Sequence, residues 1–115
     1  PIALDETIKN ITSIETALKI NCGDVFIVKP QTFGSFADIN EAITLIKKED
    51  KIPVITSSLE GIIGRLSSMH IASANLIDNA CGLGFDPVYE NEKQYIPIVV
   101  DGYVEILDKI GLGYN

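Results

Sequence analysis

The sequence predicts an α/β fold built on a parallel sheet. Short apolar runs at residues 2–4, Val25–Val28 and Ile52–Ile55 alternate with segments in which apolar residues recur at helical spacing. These units repeat every 25 to 30 residues or so, roughly the length of a βα unit. The run Val25–Val28 is apolar on both faces, which is typical of a strand covered on both sides. We therefore expect either an open doubly wound sheet or a sector of a (β/α)8 barrel.

The first helix is predicted after the strand at residues 2–4 and the polar residues Asp5-Glu6-Thr7. Either Thr12 or Ser13 could cap its N-terminus. Gly23 is predicted to be the left-handed residue that ends it. The apolar residues that define its buried side are Ile11, Ile14, Ala17, Leu18 and Ile20.

The second helix is the most regular segment in the chain. It follows a predicted loop at residues 31–35, which contains Gly34. Acidic residues in its first turn and lysines in its last turn complement the helix dipole. Its apolar residues are Phe36, Ile39, Ile43 and Ile46, and its charged residues are Asp38, Glu41, Lys47 and Lys48.

The third helix is predicted at residues 61–75, after the strand Ile52–Ile55. It is so apolar that we expect more than solvent to cover it. Residues 80–84, Ala-Cys-Gly-Leu-Gly, are predicted to form a short fourth strand.

The C-terminal part is predicted to be a hairpin after an irregular segment at residues 85–95. Strands are expected at residues 96–100 and 103–107, joined by the two-residue turn signal Asp101-Gly102. Pro97 makes the first of them an edge candidate. We expect residues 1–115 to form a single domain, with βα units at residues 1–84 and the irregular segment and hairpin at residues 85–115.

Composition excludes several classes of partner. The net charge is −7 and the nine basic residues are scattered, which disfavours general binding to nucleic acid or anionic lipid. No stretch approaches the roughly eighteen apolar residues of a membrane span. Cys22 and Cys81 are expected to be buried free thiols in a reducing cytoplasm. The chain opens at Pro1, without Met, so we expect N-terminal processing or a piece of a longer protein.

Polar residues follow each predicted strand. In parallel α/β folds the chemistry collects at the carboxyl ends of the strands. These strand ends offer a carboxylate for a divalent cation, an ammonium for developing negative charge, and hydroxyls plus glycine amides for an anion. In chain order they carry Asp5-Glu6, Lys29-Pro30, Thr56-Ser57-Ser58 with Glu60, and Gly82-Leu83-Gly84.

Each strand end also has a purely structural interpretation. Asp5-Glu6 could cap a helix, and the hydroxyls that follow the third strand could do the same. Lys29 could extend into solvent, although Pro30 favours an extended backbone that keeps it at the strand end. His70 is expected to be a packed or rim residue, because no orienting carboxylate is near it in the sequence. Only the joint occurrence of four polar strand ends favours a site.

Four segments resemble one enzyme family. PIALDET, VFIVKPQTFGS, IPVITSSLEGIIGRL and CGLG are similar to the C-terminal half of the barrel domain of the enolase superfamily, muconate-lactonizing subgroup. Within that subgroup they most resemble the o-succinylbenzoate synthase family of menaquinone biosynthesis. The resemblance implies a (β/α)7β TIM-like barrel, of which about strands five to eight are present here, with the terminal hairpin returning toward a cap domain. It covers residues 1–84 well and the remainder loosely.

The resemblance implies a role for each strand end. Asp5 would be the last of three carboxylates that bind Mg²⁺ or Mn²⁺, and Lys29 would be the catalytic ammonium that faces the intermediate. The other metal ligands, a Lys-x-Lys base and most of the cap domain would lie outside these residues. Thr56 and Gly61 stand where Ser is common in the family. The implied substrate-binding residues are Thr56, Ser57, Ser58, Gly82 and Leu83.

The implied reaction is the Mg²⁺-dependent syn-dehydration of 2-succinyl-6-hydroxy-2,4-cyclohexadiene-1-carboxylate to o-succinylbenzoate. A cytoplasmic full-length parent would catalyse it, and the isolated chain would be inactive. Alternatives within the superfamily are an N-succinylamino acid racemase, a dipeptide epimerase and a muconate cycloisomerase.

Outside the superfamily, a phospho-receiver-like signalling module also combines a strand-end Asp with Lys-Pro. In receivers, however, the hydroxyl residue precedes Lys-Pro, whereas here it follows Lys29. A fragment kept only for its packing is the remaining alternative. The expected partner is a small-molecule carboxylate substrate, and open barrel edges predict self-association.

Overall fold

The computed structural model describes residues 1–86 and 89–113. Residues 87, 88, 114 and 115, which belong to the predicted irregular segment and tail, lie outside the described residues. In chain order the elements are β1 (Ala3–Leu4), α1 (Ile11–Lys19), β2 (Val25–Val28), α2 (Pro30–Phe33), α3 (Phe36–Lys48), β3 (Ile52–Ile55), α4 (Ile62–Ala74), a 3₁₀ helix (Glu90–Tyr95), β4 (Val99–Val100) and β5 (Tyr103–Val104).

The first three strands form a parallel sheet in the order β1-β2-β3. Leu4 pairs with Phe26, and Val28 pairs with Ile55. The predicted α/β fold with parallel strands is confirmed by this sheet. The predicted fourth strand at residues 80–84 is reduced to one parallel bridge between Thr56 and Gly82, in which the Gly82 amide donates to the Ile55 carbonyl at 2.9 Å.

Helices cover one face of this sheet. Phe26, Val28 and Ile55 are fully buried, in one cluster with apolar side chains of α1, α3 and α4. Ile27 and Val54, whose side chains point to the other face, are only half-buried. The prediction that β2 is covered on both faces is therefore wrong within the described part of the chain. In a closed barrel the second face is the interior, which other strands of the barrel line.

The ends of α1 differ from the prediction. The N-cap is Asn10, whose side chain accepts a hydrogen bond from the Ser13 amide at 2.9 Å, while the Ser13 hydroxyl accepts one from the Asn10 amide at 3.1 Å. Ser13 therefore serves at the third helical position of a capping box, and neither it nor Thr12 is the cap. After the helix, Asn21 rather than Gly23 takes the left-handed conformation, with φ of +49°.

Close packing explains the glycine at position 23. A Cβ there would lie 2.7 Å from Cγ and Cδ1 of Leu4. Glycine is therefore needed at position 23 because the backbone there lies against the Leu4 side chain of β1. Its own backbone conformation does not require glycine.

The predicted loop at residues 31–35 contains a helical turn, α2. It begins at Pro30, a residue suited to the first helical position, and it ends at Phe33, followed by the cap residue Gly34, whose φ is +88°. Ser35 then caps α3, and its hydroxyl accepts a hydrogen bond from the Asp38 amide at 3.1 Å. The second predicted helix is confirmed as α3, and the third, predicted at residues 61–75, is confirmed as α4.

The C-terminal hairpin is also confirmed, with shorter strands than predicted. Asp101 and Gly102 both have positive φ, as a two-residue hairpin turn of type I′ requires. Residues 90–95 of the predicted irregular segment form the 3₁₀ helix. The expectation that more than solvent covers α4 holds, because a second apolar cluster packs the segment after residue 82 and the hairpin region against it. Its members are Ile62, Leu66 and Met69, with Leu83, Phe85, Ile96, Val104, Ile106 and Leu112 around them.

Both cysteines are free thiols, as predicted, but Cys22 is exposed and Cys81 is half-buried. The expectation of two buried thiols is therefore wrong. Cys22 lies after the end of α1, outside the buried cluster. Within the described ranges, every helix is too short or too polar to cross a membrane.

We expect Gly82→Ala to destabilise the fold by about 1–3 kcal/mol, because overpacking strains a close contact. The new Cβ would lie 2.8 Å from Cγ2 of Thr56, a stiff β-branched side chain. Gly84→Ala is the matched control, since its Cβ would meet only the Ser57 hydroxyl at an ordinary 3.8 Å. Urea unfolding of both variants measures the difference, and equal stabilities would contradict the pairing of Gly82 with Thr56.

Candidate functional site

The register of the sheet brings three predicted strand ends to one edge. Asp5, Lys29 and Thr56 directly follow β1, β2 and β3. The Thr56 amide donates to the Val28 carbonyl at 3.1 Å, so the pairing of β2 with β3 continues up to the first hydroxyl residue. The fourth strand end lies beside the third, because Thr56 and Gly82 form a parallel bridge. The site is therefore a row of neighbouring strand ends.

Lys29 lies between two carboxylates at this edge. Its Nζ is 2.5 Å from Oδ1 of Asp5 and 3.1 Å from Oε1 of Glu6. The backbone at Lys29 is extended, with φ of −105° and ψ of 106°, as the following proline predicts. Asp5 and Glu6 cap no helix, since α1 has its own cap at Asn10. The side chain of Lys29 is 21% exposed, so it is held at the strand end instead of extending into solvent.

The two carboxylates determine the charge of Lys29. The hydrogen bond to Asp5, followed by the one to Glu6, raises the pKa of Lys29 above its ordinary 10.5. Lys29 is therefore a fixed positive charge at neutral pH. Such a group can stabilise negative charge that develops nearby, but it cannot act as a base in this state.

The three hydroxyl residues have different surroundings. The Ser57 hydroxyl donates to the Gly82 carbonyl at 3.2 Å and accepts from the Gly84 amide at 3.3 Å, so it joins the last two strand ends. Oγ1 of Thr56 and Oγ of Ser58 are buried and have no hydrogen-bond partner among the described residues. The hydroxyls do not cap α4, whose cap residue is Gly61. Thr56 and Ser58 thus remain able to bind a ligand.

Gly82 and Leu83 are used within the fold. The Gly82 amide donates to Ile55, and the Leu83 side chain packs against both apolar clusters. His70 is half-buried on α4 and lines a groove of about 810 Å³ between α4 and the hairpin region. This groove is lined by none of the strand-end residues named above.

Two buried charged residues organise the site, and both were absent from the sequence prediction. Arg65 is 7% exposed, and its guanidinium donates to the Glu60 carbonyl at 2.9 Å and to the Asp86 carbonyl. Glu92 is 8% exposed, and its Oε1 accepts from the Ile62 amide at 2.8 Å. Together they tie the loop at residues 57–61 and the start of α4 to the segment that follows Gly84.

The sequence contained a signal for one of these two residues. Arg65 is a single charge in a very apolar helix, and a charge in such a helix is buried only when it has polar partners. Glu92 carried no comparable signal, because its partner Ile62 lies 30 residues away in the chain.

The residues present suit a hard divalent cation only in part. Asp5 offers a carboxylate, the ligand type that Mg²⁺ prefers. In the ranges 1–86 and 89–113, however, no three His, Cys, Asp or Glu side chains are close enough together to hold a metal ion. Asp5 can therefore serve as one ligand, and a complete coordination sphere would need ligands from outside the described residues.

Comparison with known proteins finds curated proteins with similar sequences. The o-succinylbenzoate synthase of Mycobacterium leprae (strain TN) is 29% identical over 109 residues, and that of Mycobacterium tuberculosis (strain H37Rv) is 27% identical over 108 residues. Each alignment covers 92% of this chain. The resemblance to the enolase superfamily is confirmed. The chain spans only about a third of these curated relatives, 31% and 32% of their lengths. No family model matches the chain.

Solved structures in the enolase superfamily share the fold. A mandelate racemase/muconate lactonizing protein from Herpetosiphon aurantiacus matches with a TM-score of 0.66 at 18% identity, over 70% of this chain and 23% of that one. A probable mandelate racemase from Alicyclobacillus acidocaldarius matches with a TM-score of 0.68 at 23% identity, over 73% and 22% of the two chains. The C-terminal domain of the superfamily is a TIM barrel. That the strands here are the fifth to eighth of such a barrel stays a prediction.

We expect Asp5→Asn to lower the pKa of Lys29 more than Glu6→Gln does, because the Asp5 hydrogen bond is the largest cause of the raised value. The pair stabilises the folded state at neutral pH, and this contribution is lost as pH rises through the folded-state pKa. A ¹³C titration of the lysine Cε resonances measures the pKa directly. An unchanged Lys29 pKa in Asp5→Asn would contradict the observed ion pair.

We expect Glu92→Ala to lower the free energy of unfolding by about 1–2 kcal/mol, because α4 loses the acceptor at its N-terminus. Glu90→Ala is the matched control: its side chain is 86% exposed and pairs with Lys93, so its effect should stay within about 0.5 kcal/mol. Urea unfolding followed by circular dichroism compares the two. Equal effects would show that Glu92 does not cap α4 in solution.

Proposed function

We propose that residues 1–115 supply one part of the active site of an o-succinylbenzoate synthase. The observation that carries this proposal is the Lys29 ammonium, held 2.5 Å from the Asp5 carboxylate at adjoining strand ends. The similarity to curated synthases over 92% of the chain supports the choice within the superfamily. The reaction would be the dehydration of 2-succinyl-6-hydroxy-2,4-cyclohexadiene-1-carboxylate to o-succinylbenzoate.

The proposed role of Lys29 follows from the difficulty of this reaction. A proton next to a carboxylate is very weakly acidic, because its removal places a second negative charge beside the first. A positive charge that is already in position stabilises this dianion without reorganisation during the reaction. Lys29 meets this requirement, since Asp5 and Glu6 fix its position and keep it protonated. We assign proton abstraction to a base outside these residues.

Asp5 has two roles in this proposal. Its Oδ1 orients Lys29, and its carboxylate would also be a ligand of Mg²⁺, which members of the superfamily generally use. When bound, a divalent cation supplies positive charge to the carboxylate oxygens of the substrate. The further metal ligands would come from parts of a longer protein.

The hydroxyl residues would bind the substrate. Thr56 and Ser58 have buried oxygens without partners among the described residues, so each can donate a hydrogen bond to a substrate oxygen. Ser57 would act indirectly, because its hydroxyl is used to hold Gly82 and Gly84 beside the strand. For Gly82 and Leu83 we propose contact with the substrate at the rim, with the Gly82 amide remaining in the sheet.

A racemase of N-succinyl amino acids is the second candidate. Both structural neighbours carry mandelate racemase in their names, and a racemase needs the same stabilisation of charge next to a carboxylate. The phospho-receiver alternative is not proposed, because both comparisons lead to the enolase superfamily. A cytoplasmic location and self-association through open sheet edges stay predictions.

We expect Lys29→Ala to lower kcat by about 10³-fold in a full-length protein that carries this segment, because removing one preorganised charge costs roughly that factor. Lys48→Ala is the matched control, since Lys48 is an exposed residue in the last turn of α3. Dehydration is followed by the absorbance of o-succinylbenzoate, and racemisation of N-succinyl amino acids by polarimetry.

Each outcome of these assays is decisive. Racemisation that is faster than dehydration would replace the first candidate with the second. Turnover by residues 1–115 alone would contradict the proposal that this chain supplies only part of the site, and full activity in Lys29→Ala would overturn the role of Lys29.

A further inference from the structure

Glu60 has one carboxylate oxygen with no protein partner. Its Oε2 accepts a hydrogen bond from the Ser58 amide, so the carboxylate lies beside the backbone of the hydroxyl-bearing loop. Its Oε1 is buried and has no hydrogen-bond partner among the described residues. The nearby Arg65 contacts the backbone carbonyl of Glu60, and no ion pair to the Glu60 carboxylate is present in the described part of the chain.

The side chain of Glu60 is held in this position. It packs on the backbone of α4 at Gly64, where an added Cβ would lie 2.6 Å from Cγ of Glu60. Arg65 fixes the Glu60 backbone from the other direction. Glu60 is therefore restrained by α4, through its packing at Gly64 and through Arg65.

The unpaired oxygens of Thr56, Ser58 and Glu60 differ in the hydrogen bonds that they can make. A carboxylate oxygen can only accept, whereas the Thr56 and Ser58 hydroxyls can also donate. A buried acceptor without a donor is unfavourable, and a ligand that brings a donor relieves this cost. Within five residues of the chain, the loop thus offers one acceptor and two hydroxyl donors.

We propose that Glu60 is a specificity-determining residue that accepts a hydrogen bond from an N–H or O–H group of the ligand. Thr56 and Ser58 donate to an oxygen of the same ligand. The ligand class is a carboxylate that carries an amide or hydroxyl group beside an acceptor oxygen. The inference rests on the proposed binding role of the strand ends, and it deepens that role by naming the group recognised.

A matched pair of small ligands tests this proposal with residues 1–115. Succinamate and monomethyl succinate have the same charge and nearly the same size, but only succinamate has N–H donors. We titrate each into the ¹⁵N-labelled chain and follow the amide resonances of residues 56–60 by NMR. Succinamate should bind about tenfold more tightly, since an unpaired buried acceptor typically costs about 5- to 150-fold in an equilibrium constant.

Glu60→Gln provides a sharper test, because it should reverse the preference. If the new amide carbonyl replaces Oε2 at the Ser58 amide, the new NH₂ group presents a donor where the wild type presents an acceptor. Monomethyl succinate should then bind at least as tightly as succinamate. Glu90→Gln, at an exposed position of the 3₁₀ helix, is the control and should keep the wild-type preference.

The outcomes separate this inference from the proposed function. Equal affinities in the wild type, with shifts at residues 56–60, would overturn the role of Glu60 and leave the binding role of Thr56 and Ser58 intact. No shift at these residues with either ligand would overturn the inference that this loop of residues 1–115 recognises such a ligand, whereas the proposed function is decided by the Lys29→Ala assay in a full-length protein. A Glu60→Gln variant that still prefers succinamate would also overturn the role of Glu60. The wild-type comparison decides the question even if the variant fails to fold.

Discussion

The register between β2 and β3 is the constraint on which the rest of the site depends. Val28 and Ile55 are paired and fully buried beneath the helices. Because side chains alternate along a strand, the next residues, Lys29 and Thr56, project from the opposite face. A shift of one residue would send Lys29 into the apolar core and expose Val28. The cost of burying an unpaired ammonium therefore fixes the positions of the candidate site residues Lys29 and Thr56.

The ion pair at this edge contributes little to the stability of the fold. The Asp5 side chain is 45% exposed and that of Glu6 is 82% exposed. Ion pairs this exposed contribute about 0–1 kcal/mol to folding. Lys29 nevertheless has two carboxylates within 3.1 Å, an arrangement that keeps its charge and position constant. Such a fixed charge is more useful for stabilising an anion than for holding together strands that already share backbone hydrogen bonds.

The sequence predicted features that depend on local periodicity and failed where distant contacts decide. Strands β2 and β3 and helix α3 have apolar patterns of a single period, so their bounds were predictable. The capping role of Asn10 was missed because several adjacent polar residues could cap α1, and only the backbone geometry selects one. The turn α2 is too short for a periodic signal, and it follows from the proline at its first position.

At the site, residue types and their order were predictable, but their partners were not. Lys29 and Asp5 were predicted at neighbouring strand ends with separate roles, as ammonium and as metal ligand, and their ion pair was not predicted. Of the three hydroxyl residues, Ser57 is the one that hydrogen-bonds to Gly82 and Gly84, which lie 25 residues or more further along the chain. No local pattern encodes such a contact. The half-buried face of β2 was missed for the same reason, because the sequence of a strand does not show which distant residues cover it.

The two halves of the site rest on different parts of the fold. The Lys29–Asp5 pair lies at the ends of β1 and β2, which are joined by backbone pairing. The loop at residues 57–61 depends instead on Arg65 and Glu92, whose partners include the backbone of Asp86 and of Tyr89. Changes in the segment that follows Gly84 can therefore move Ser58 and Glu60 while leaving Thr56 and the ammonium in place. Substitutions in this segment can therefore change the loop without moving the Lys29 ammonium, because the loop and the Lys29–Asp5 pair are held by separate contacts.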